Sequence, residues 1–195
     1  VGEGCNRPQE TCLIFGLGVD FYEHNGLGRR IDTAEALDIL VMANESGLVL
    51  QPGNSRTPGN ICACCGCCCG VLRTLNTYPR PVEMVISPFI ARVDAEDCVG
   101  CGVCVDRCQM RAVSVIDGKA VVDYDRCIGC GLCVSTCPAG AMSLERKPES
   151  EQPYVPKGMI DSTIRRMTAR GKATTRNLAK MLLRTGVDRV LAPKR

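Results

Sequence analysis

The feature that most constrains this chain is a run of four cysteines with the spacing C-x2-C-x2-C-x3-C, which occurs twice. The copies comprise Cys98, Cys101, Cys104 and Cys108, and then Cys127, Cys130, Cys133 and Cys137. The residues around the cysteines align as well, at an offset of 29 positions, so the segment is an internal repeat. Such a duplication predicts one compact module that contains two similar sites.

This spacing favours iron–sulfur clusters over the other uses of cysteine. Thiolates two residues apart can surround one cluster, whereas structural zinc sites place two C-x2-C pairs about a dozen or more residues apart. Cysteines this close in sequence also pair poorly as disulfides. Glycines at positions 100, 102, 129 and 131 would let backbone N–H groups approach the cluster sulfides. The pattern therefore predicts iron–sulfur sites at both copies.

Residues 89–147 closely resemble the bacterial-type ferredoxins that carry two [4Fe-4S] clusters, on both cysteine runs and on the Cys137-Pro138 ending. In that family the fourth cysteine of each run ligates the other cluster. The resemblance thus implies one cluster held by Cys98, Cys101, Cys104 and Cys137, and another held by Cys127, Cys130, Cys133 and Cys108. It also implies that the module passes single electrons. Protein thiolates fill every ligand position, so neither cluster has an open iron for Lewis-acid chemistry.

The first run departs from the family pattern after its fourth cysteine. Cys108 is followed by Gln109, where the family has proline. Proline would fix φ and begin the next helix, whereas glutamine adds a backbone N–H that could reach a sulfide or water. We therefore expect the two clusters to differ in reduction potential.

The secondary structure around the repeat indicates an α+β fold. Two β-branched segments, Val113 to Ile116 and Ala120 to Val122, flank an Asp-Gly turn and predict a hairpin. Ile90 to Val93 and Met142 to Leu144 could be the outer strands, and residues 104–112 and 133–141 can each hold one short helix. We expect a ferredoxin-like dicluster module, a cysteine-rich and partly helical N-terminal region, and a short helical basic tail.

The boundaries that we expect are residues 1–80, 89–147 and 157–195. In the first segment, Asp32-Thr33-Ala34-Glu35 is a capping box that predicts a helix to about Ser46, closed by Gly47. Lys147 to Pro156, with three prolines, predicts a linker. In the tail we expect one helix capped at Asp161 or Ser162 and another over 175–183.

Eight further cysteines lie upstream of the repeat, six of them within eight residues. They are Cys5, Cys12, Cys62, Cys64, Cys65, Cys67, Cys68 and Cys69. Adjacent cysteines cannot all face one metal, so we expect fewer than eight to be ligands. The residues leave two interpretations open: one or more additional iron–sulfur clusters, or a zinc or disulfide staple for a chain with no Trp and only 3 Phe.

Two resemblances bear on this region. The tripeptide Cys-Cys-Gly, at residues 64–66 and 68–70, is similar to the cysteine-rich domain of heterodisulfide reductases, although that family's longer spacing is not reproduced. It implies an alternative function, in which the chain is part of a redox enzyme that reduces disulfides or thiols at this site. The overall layout is similar to multi-cluster ferredoxin-like proteins of anaerobes.

Charge is distributed unevenly. Residues 1–97 carry seven basic and twelve acidic side chains, whereas residues 151–195 carry eleven basic and three acidic ones. The basic tail could lie on the acidic half or dock on another subunit. It lacks interleaved aromatic residues and a base-reading motif, so we expect no nucleic-acid partner. The expected partner is a redox protein or an oxidoreductase subunit.

Several classes of protein do not fit this sequence. No apolar run approaches the roughly 18 to 20 residues that a membrane span needs. The first residues have no basic region followed by an apolar stretch, as a signal peptide would. Reduced thiolates and oxygen-sensitive clusters favour the cytoplasm of an anaerobe. Because the chain begins with Val1 rather than Met, one interpretation is that it is a fragment.

Overall fold

A computed structural model describes residues 5–16, 18–53, 55–172, 174–177, 179, 180 and 183. It is an α+β structure with three small antiparallel sheets. The N-terminal elements are β1 (Leu13–Ile14), α1 (Gly18–His24), α2 (Thr33–Glu45), β2 (Val49–Pro52), β3 (Asn60–Cys64) and α3 (Gly70–Thr77). The repeat contributes β4 (Phe89–Val93), α4 (Val103–Arg107), β5 (Val113–Ile116), β6 (Lys119–Val122) and β7 (Met142–Arg146). Helix α5 (Met159–Ala169) follows, and short 3-10 helices span Pro81–Met84 and Glu149–Glu151.

The hairpin and the outer strand pair of the repeat are as the sequence predicts. Strands β5 and β6 are antiparallel neighbours, and their turn residues Asp117 and Gly118 have φ of 50° and 74°. Two consecutive positive φ values are what a two-residue hairpin turn requires. Strand β4 pairs with β7, so that Ala91 lies opposite Leu144. The repeat is thus closed by strands that come from its two ends.

Only one of the two short helices expected in the repeat is present. Helix α4 ends at Arg107, earlier than expected, and residues 132–136 form turns instead of a second helix. The hydroxyl of Thr136 donates to the carbonyl of Leu132 at 2.9 Å. Pro138 and Gly140, which has φ of 67°, then prevent a regular helix farther along. The prediction of a helix over 133–141 was therefore wrong.

Helix α2 confirms the capping box. The carboxylate of Asp32 accepts a hydrogen bond from the backbone N–H of Glu35 at 2.8 Å. The helix ends with Ser46 as its C-cap, and Gly47 follows with φ of 72°. Its buried residue, Ala43, packs with Leu48 and Ala63 on one face of the sheet β1-β3-β2. No sequence pattern predicted this sheet.

The N-terminal elements and the repeat share one hydrophobic core. Val49 of β2 and Leu72 and Leu75 of α3 pack in the same cluster as Met110 and Leu132 of the repeat. Four cysteines of the repeat are buried in that cluster: Cys98, Cys104, Cys127 and Cys133. The cysteines that the sequence predicts as cluster ligands are thus part of the hydrophobic core.

The segment after β7 packs against the N-terminal loop. The backbone N–H of Arg56 donates to the carbonyl of Pro156 at 2.7 Å, and the hydroxyl of Thr57 donates to the carbonyl of Lys157 at 3.1 Å. Helix α5 begins at Met159 with Gly158 as its N-cap, so the expected cap at Asp161 or Ser162 was wrong. Of the second tail helix expected over 175–183, residues 175–177, 179, 180 and 183 are helical as expected, whereas Leu178, Met181 and Leu182 lie outside the described residues.

Candidate metal centres

Two cavities lie within the repeat, and each is lined by four of its cysteines. The first encloses about 330 Å³, part of it open to solvent, and its cysteines are Cys98, Cys101, Cys104 and Cys137. The second encloses about 350 Å³, and its cysteines are Cys108, Cys127, Cys130 and Cys133. In each cavity three cysteines come from one run and the fourth comes from the other. The structure therefore brings together the two sets that the ferredoxin resemblance implies.

Glycine lets the backbone close tightly around each cavity. A Cβ atom at Gly100 would lie 2.2 Å from the carbonyl oxygen of Gly118, and one at Gly129 would lie 2.2 Å from that of Phe89. Both glycines also have positive φ, of 66° and 65°. No other residue fits these two positions without a shift of the backbone. Glycine two residues after the first cysteine of each run is therefore required for steric reasons.

The first cavity holds a thiol that is prepared to ionise. Hydrogen bonds from the backbone N–H groups of Ala120 and Gly100 lower the pKa of the Cys98 thiol, and the nearby charge of Lys119 lowers it further. The Ala120 N–H lies 3.3 Å from the Cys98 sulfur, and the Lys119 ammonium donates to the Cys98 carbonyl at 2.7 Å. Since metals bind the thiolate, this environment favours ligation by Cys98.

Several residues that line the second cavity are more buried than their counterparts in the first. Burial raises the pKa of the Cys130 thiol to about 11 and that of Cys133 to about 12. The walls of this cavity include Ile128 and Leu132, which are 7% and 2% exposed. In the first cavity, by contrast, Val99 is 69% exposed and Cys101 is also exposed. The two cavities therefore present different access to water.

The cysteines upstream of the repeat form a second type of site. The sulfurs of Cys5, Cys65, Cys67 and Cys68 all lie within 4.8 Å of one another. The individual contacts are 3.1 Å for Cys65–Cys67, 3.5 Å for Cys5–Cys65, 3.6 Å for Cys5–Cys68 and 3.8 Å for Cys67–Cys68. Four sulfurs that surround one Zn²⁺ ion tetrahedrally at about 2.3 Å are about 3.8 Å apart. This group is thus close to the size of a single-ion site.

One thiol of this group, that of Cys65, ionises more readily than an ordinary cysteine. Burial opposes ionisation of Cys65, but hydrogen bonds from the Cys67 thiol, the Cys68 backbone and the Cys5 thiol together lower its pKa to about 6. The same contact with Cys65 raises the pKa of Cys67 to about 12. The Cys65 thiolate is therefore stabilised by hydrogen bonds from neighbouring thiols. A bound cation would take the place of these hydrogen bonds.

The other four upstream cysteines lie apart from this group. Cys62 and Cys64 belong to β3, Cys12 immediately precedes β1, and Cys69 is the N-cap of α3. Cys64 and Cys69 pack against the core that is shared with the repeat, whereas Cys65, Cys5 and Cys68 belong to the core beneath α2. Neighbours in sequence thus face different ways, so adjacency alone does not reduce the number of possible ligands.

A protein-family model described as a 4Fe-4S dicluster domain matches residues 91–144. The match spans both cysteine runs and the strands β5 and β6 between them. It supports a ferredoxin-type 4Fe-4S domain, at least one [4Fe-4S] cluster and a role in iron–sulfur electron transfer. No curated protein matches the chain. Among the described residues, we find no helix with both the length and the apolar character needed to cross a membrane.

The ferredoxin-type domain is fastened to the N-terminal region by residues that sequence reasoning did not single out for that role. The guanidinium of Arg107 donates to the carbonyls of Asn44 and Glu45, at 2.6 and 2.7 Å, at the C-terminal end of α2. A cation there also interacts favourably with the helix dipole. Arg126 similarly donates to the carbonyl of Met110 at 3.0 Å and to the side chain of Asn76 at 3.1 Å, near the end of α3.

Gln109, the residue that replaces the family's proline, completes this attachment. Its side-chain oxygen accepts from the Gly66 N–H at 2.8 Å, and its side-chain nitrogen donates to the Gly47 carbonyl at 3.0 Å. Its own carbonyl accepts from the side chain of Asn76 at 2.9 Å. The segment after Cys108 is thereby held against the cysteine-rich segment. The only signal for this in the sequence is the departure from the family pattern.

Proposed function

We propose that this chain is an iron–sulfur electron-transfer protein or subunit that relays single electrons through two [4Fe-4S] clusters. The observation that carries the proposal is the composition of the two cavities, each lined by three cysteines of one run and the fourth cysteine of the other. Four thiolates around an enclosed space are the donor set that a [4Fe-4S] cluster requires. Each cluster, when bound, would accept and release one electron at a time.

The residues around the cavities would control how water and partners reach the clusters. In the second cavity, Ile128 and Leu132 are buried and would keep water from the ligands Cys108, Cys127, Cys130 and Cys133. In the first, Cys101 and Val99 are exposed beside Cys98, Cys104 and Cys137. Electron transfer to a separate redox protein is favoured where a cluster lies near the surface. We therefore assign the first cavity as the side that meets the partner.

The N-terminal group of Cys5, Cys65, Cys67 and Cys68 supports a further metal site. Its sulfur–sulfur contacts of 3.1 to 3.8 Å suit one tetrahedral ion such as Zn²⁺ better than a cluster, in which each thiolate binds a different iron. Such an ion would join the start of the chain to the segment after β3. The site would thus be structural, and it would strengthen the smaller core beneath α2.

The alternative function, reduction of thiols or disulfides at the N-terminal cysteines, is less well supported by this geometry. A nucleophilic cysteine must be both ionised and accessible. Cys65 has the lowered pKa but is 3% exposed, whereas Cys67 is exposed but has a pKa raised to about 12. The two requirements fall on different residues, which favours metal binding. The three segments 1–80, 89–147 and 157–195 remain part of the proposal as its domain organisation.

Anaerobic reconstitution of the full chain tests the proposed function. We expect at least about eight irons and eight sulfides per chain, and reduced protein should show the electron paramagnetic resonance of two interacting [4Fe-4S] clusters. The replacements Cys108→Ser and Cys137→Ser should each disturb one cluster and leave the magnetic signal of the other without its partner. Fewer than about eight irons in fully reconstituted protein would rule out two intact clusters.

A further inference from the structure

The strand β3 separates the upstream cysteines onto two faces of one sheet. Side chains alternate along a strand, so Cys62 and Cys64 share a face and Ala63 points to the other. Ala63 belongs to the core beneath α2, together with Leu48 and Cys65. Cys64 instead packs against the core that contains the cysteines of the repeat. The face of Cys62 and Cys64 is therefore opposite to that of the Cys5 group.

The strand register brings a third cysteine to this face. In the antiparallel pair of β1 and β3, Leu13 lies opposite Ile61, so the preceding residue Cys12 lies next to Cys62. Burial, and after it the neighbouring Cys62 thiol, raise the pKa of the Cys12 thiol, as expected for two adjacent thiols. Cys12 is exposed, so this edge of the set is open to solvent.

Cys69 brings the fourth sulfur to the same face. Gln51, which lies opposite Cys62 in the β2–β3 pair, reaches the Cys69 sulfur with its side-chain nitrogen. Burial, and after it the Cys69 thiol, raise the pKa of the Cys64 thiol to about 12. Cys69 ends the tight turn after β3, because its N–H donates to the Cys65 carbonyl at 3.1 Å. Cys12, Cys62, Cys64 and Cys69 are therefore gathered at one face of the sheet although they span 58 positions of the sequence.

Polar N–H groups point at these sulfurs. The side-chain amide of Asn60 donates to the Cys62 sulfur at 3.3 Å, and that of Gln51 reaches the Cys69 sulfur at 3.9 Å. Donors of this kind stabilise thiolates and commonly surround the ligands of metal centres. They are a second observation, independent of the clustering of the thiols, that points to a bound cation.

The spacing of the set indicates which kind of cofactor it suits. Among the residues that the structure describes, all four sulfurs lie within 4.8 Å of one another only in the Cys5 group, so the Cys12 set is wider. A wider set of four thiolates suits a cluster, in which each sulfur binds its own iron, better than a single ion. We propose that Cys12, Cys62, Cys64 and Cys69 bind a third iron–sulfur cluster.

The position of this site relates it to the proposed electron relay. Cys64 and Cys69 pack on the core that contains cysteines of both cavities. Gln109, directly after Cys108 of the second cavity, is hydrogen-bonded to Gly66 in the cysteine-rich segment. A cluster at the Cys12 set would thus lie on the same core as the two clusters of the proposed relay. That the third cluster extends the relay rests on the proposed function, whereas metal binding by these four cysteines does not.

Metal analysis of ligand variants in the full chain tests the inference. Serine can replace a single cysteine ligand, so the test variant is the double replacement Cys12→Ser with Cys64→Ser. It should lose about four irons and four sulfides relative to the parent, from about twelve to about eight of each. The matched control is Cys67→Ser, which alters the other group and should keep all its iron while it loses zinc.

The outcomes separate this inference from the proposed function. Unchanged iron in the double variant, or loss of zinc in place of iron, would overturn the third cluster. So would the appearance of a disulfide within the set in anaerobically prepared parent, measured by counting free thiols. Iron near eight per chain in the double variant leaves the dicluster proposal intact, whereas a fall well below about eight would count against that proposal instead. If the double variant does not fold, Cys62→Ser with Asn60→Ala, both on the strand surface, gives the same comparison.

Discussion

The side-chain oxygen of Gln109 accepts a hydrogen bond from the backbone N–H of Gly66 across 43 positions of sequence, at 2.8 Å. Each residue directly follows a cysteine that lines a candidate metal site, Cys108 in one case and Cys65 in the other. A Cβ on Gly66 would lie 3.0 Å from the Gln109 carbonyl oxygen, so the two backbones approach closely. This contact fixes the distance between the ferredoxin-type domain and the cysteine-rich region.

Replacing Gln109 should loosen that attachment. Gln109→Ala removes the bonds to Gly66 and Gly47 and leaves two partly buried backbone groups without partners, which should lower the free energy of unfolding by about 1 to 3 kcal/mol. Hydrogen exchange of the Gly66 amide should become faster. The control is Gln152→Ala, because Gln152 makes a single local bond to the Lys147 carbonyl. Equal effects of both variants would contradict the special role of Gln109.

Two neighbouring glycines should differ sharply in their tolerance of alanine. Gly100 and Gly102 have similar positive φ, 66° and 79°, so both pay the left-handed cost of roughly 1 to 2 kcal/mol. Only at Gly100 would the new Cβ collide with a backbone carbonyl, that of Gly118 at 2.2 Å, while nothing lies within 4 Å at Gly102. Gly100→Ala should therefore lose iron during gel filtration and melt at lower temperature than Gly102→Ala. Matching iron content and melting temperature would show that the backbone yields.

The charge of Lys119 should raise the reduction potential of the first cluster. Lys119→Met removes a cation beside Cys98, so the added electron is less stabilised and the potential should fall. Potentiometric titration of the paramagnetic signals would show a shift in one cluster only. Lys157→Met removes the same charge from the exposed region before α5 and serves as the control. A shift in both clusters, or in neither, would count against a local effect.

The start of helix α5 should depend on pH through Asp161. Its pKa is lowered, first by a hydrogen bond from the Lys157 backbone N–H, and also by the Tyr154 hydroxyl and Arg165. A carboxylate with a lowered pKa stabilises the folded state above its unfolded pKa, and that contribution is lost as pH falls through the folded value. The amide resonance of Lys157 should follow this titration. In Asp161→Asn the dependence should disappear, and its persistence would assign it to another group.

Local patterns in the sequence were sufficient for the strands of the repeat, although not for the helix expected over 133–141. The Asp-Gly turn and its β-branched flanks predicted β5 and β6, and the cysteine runs with the family resemblance predicted the two sets that line the cavities. Steric rules about single residues govern the hairpin turn, whereas the exchange of the fourth cysteine between the two sets was implied only by the family resemblance. The cap of α2 is local as well, because it is formed by Asp32 and Glu35, three positions apart.

Most of the features that escaped prediction depend on long-range contacts, the exception being the helix over 133–141, which Pro138 and Gly140 prevent locally. The sheet β1-β3-β2 was missed because its central strand, Asn60–Cys64, consists mainly of residues without strong strand propensity. The division of the upstream cysteines needed the register of Leu13 against Ile61. The role of Arg107 has no local signal, because its partners, the carbonyls of Asn44 and Glu45, lie 63 and 62 positions away in the sequence.

The alternation of side chains along β3 has a consequence for how this region can evolve. Positions 62 and 64 share one face of the sheet, where Cys64 packs against the core shared with the repeat, whereas Ala63 belongs to the core beneath α2. Inserting or deleting one residue between Asn60 and Cys64 would reverse that parity and exchange which cysteines meet which cofactor. Changes in length within this strand should therefore be accepted only in pairs of residues. The position of each cysteine along β3 thus decides on which face of the sheet it can bind a metal.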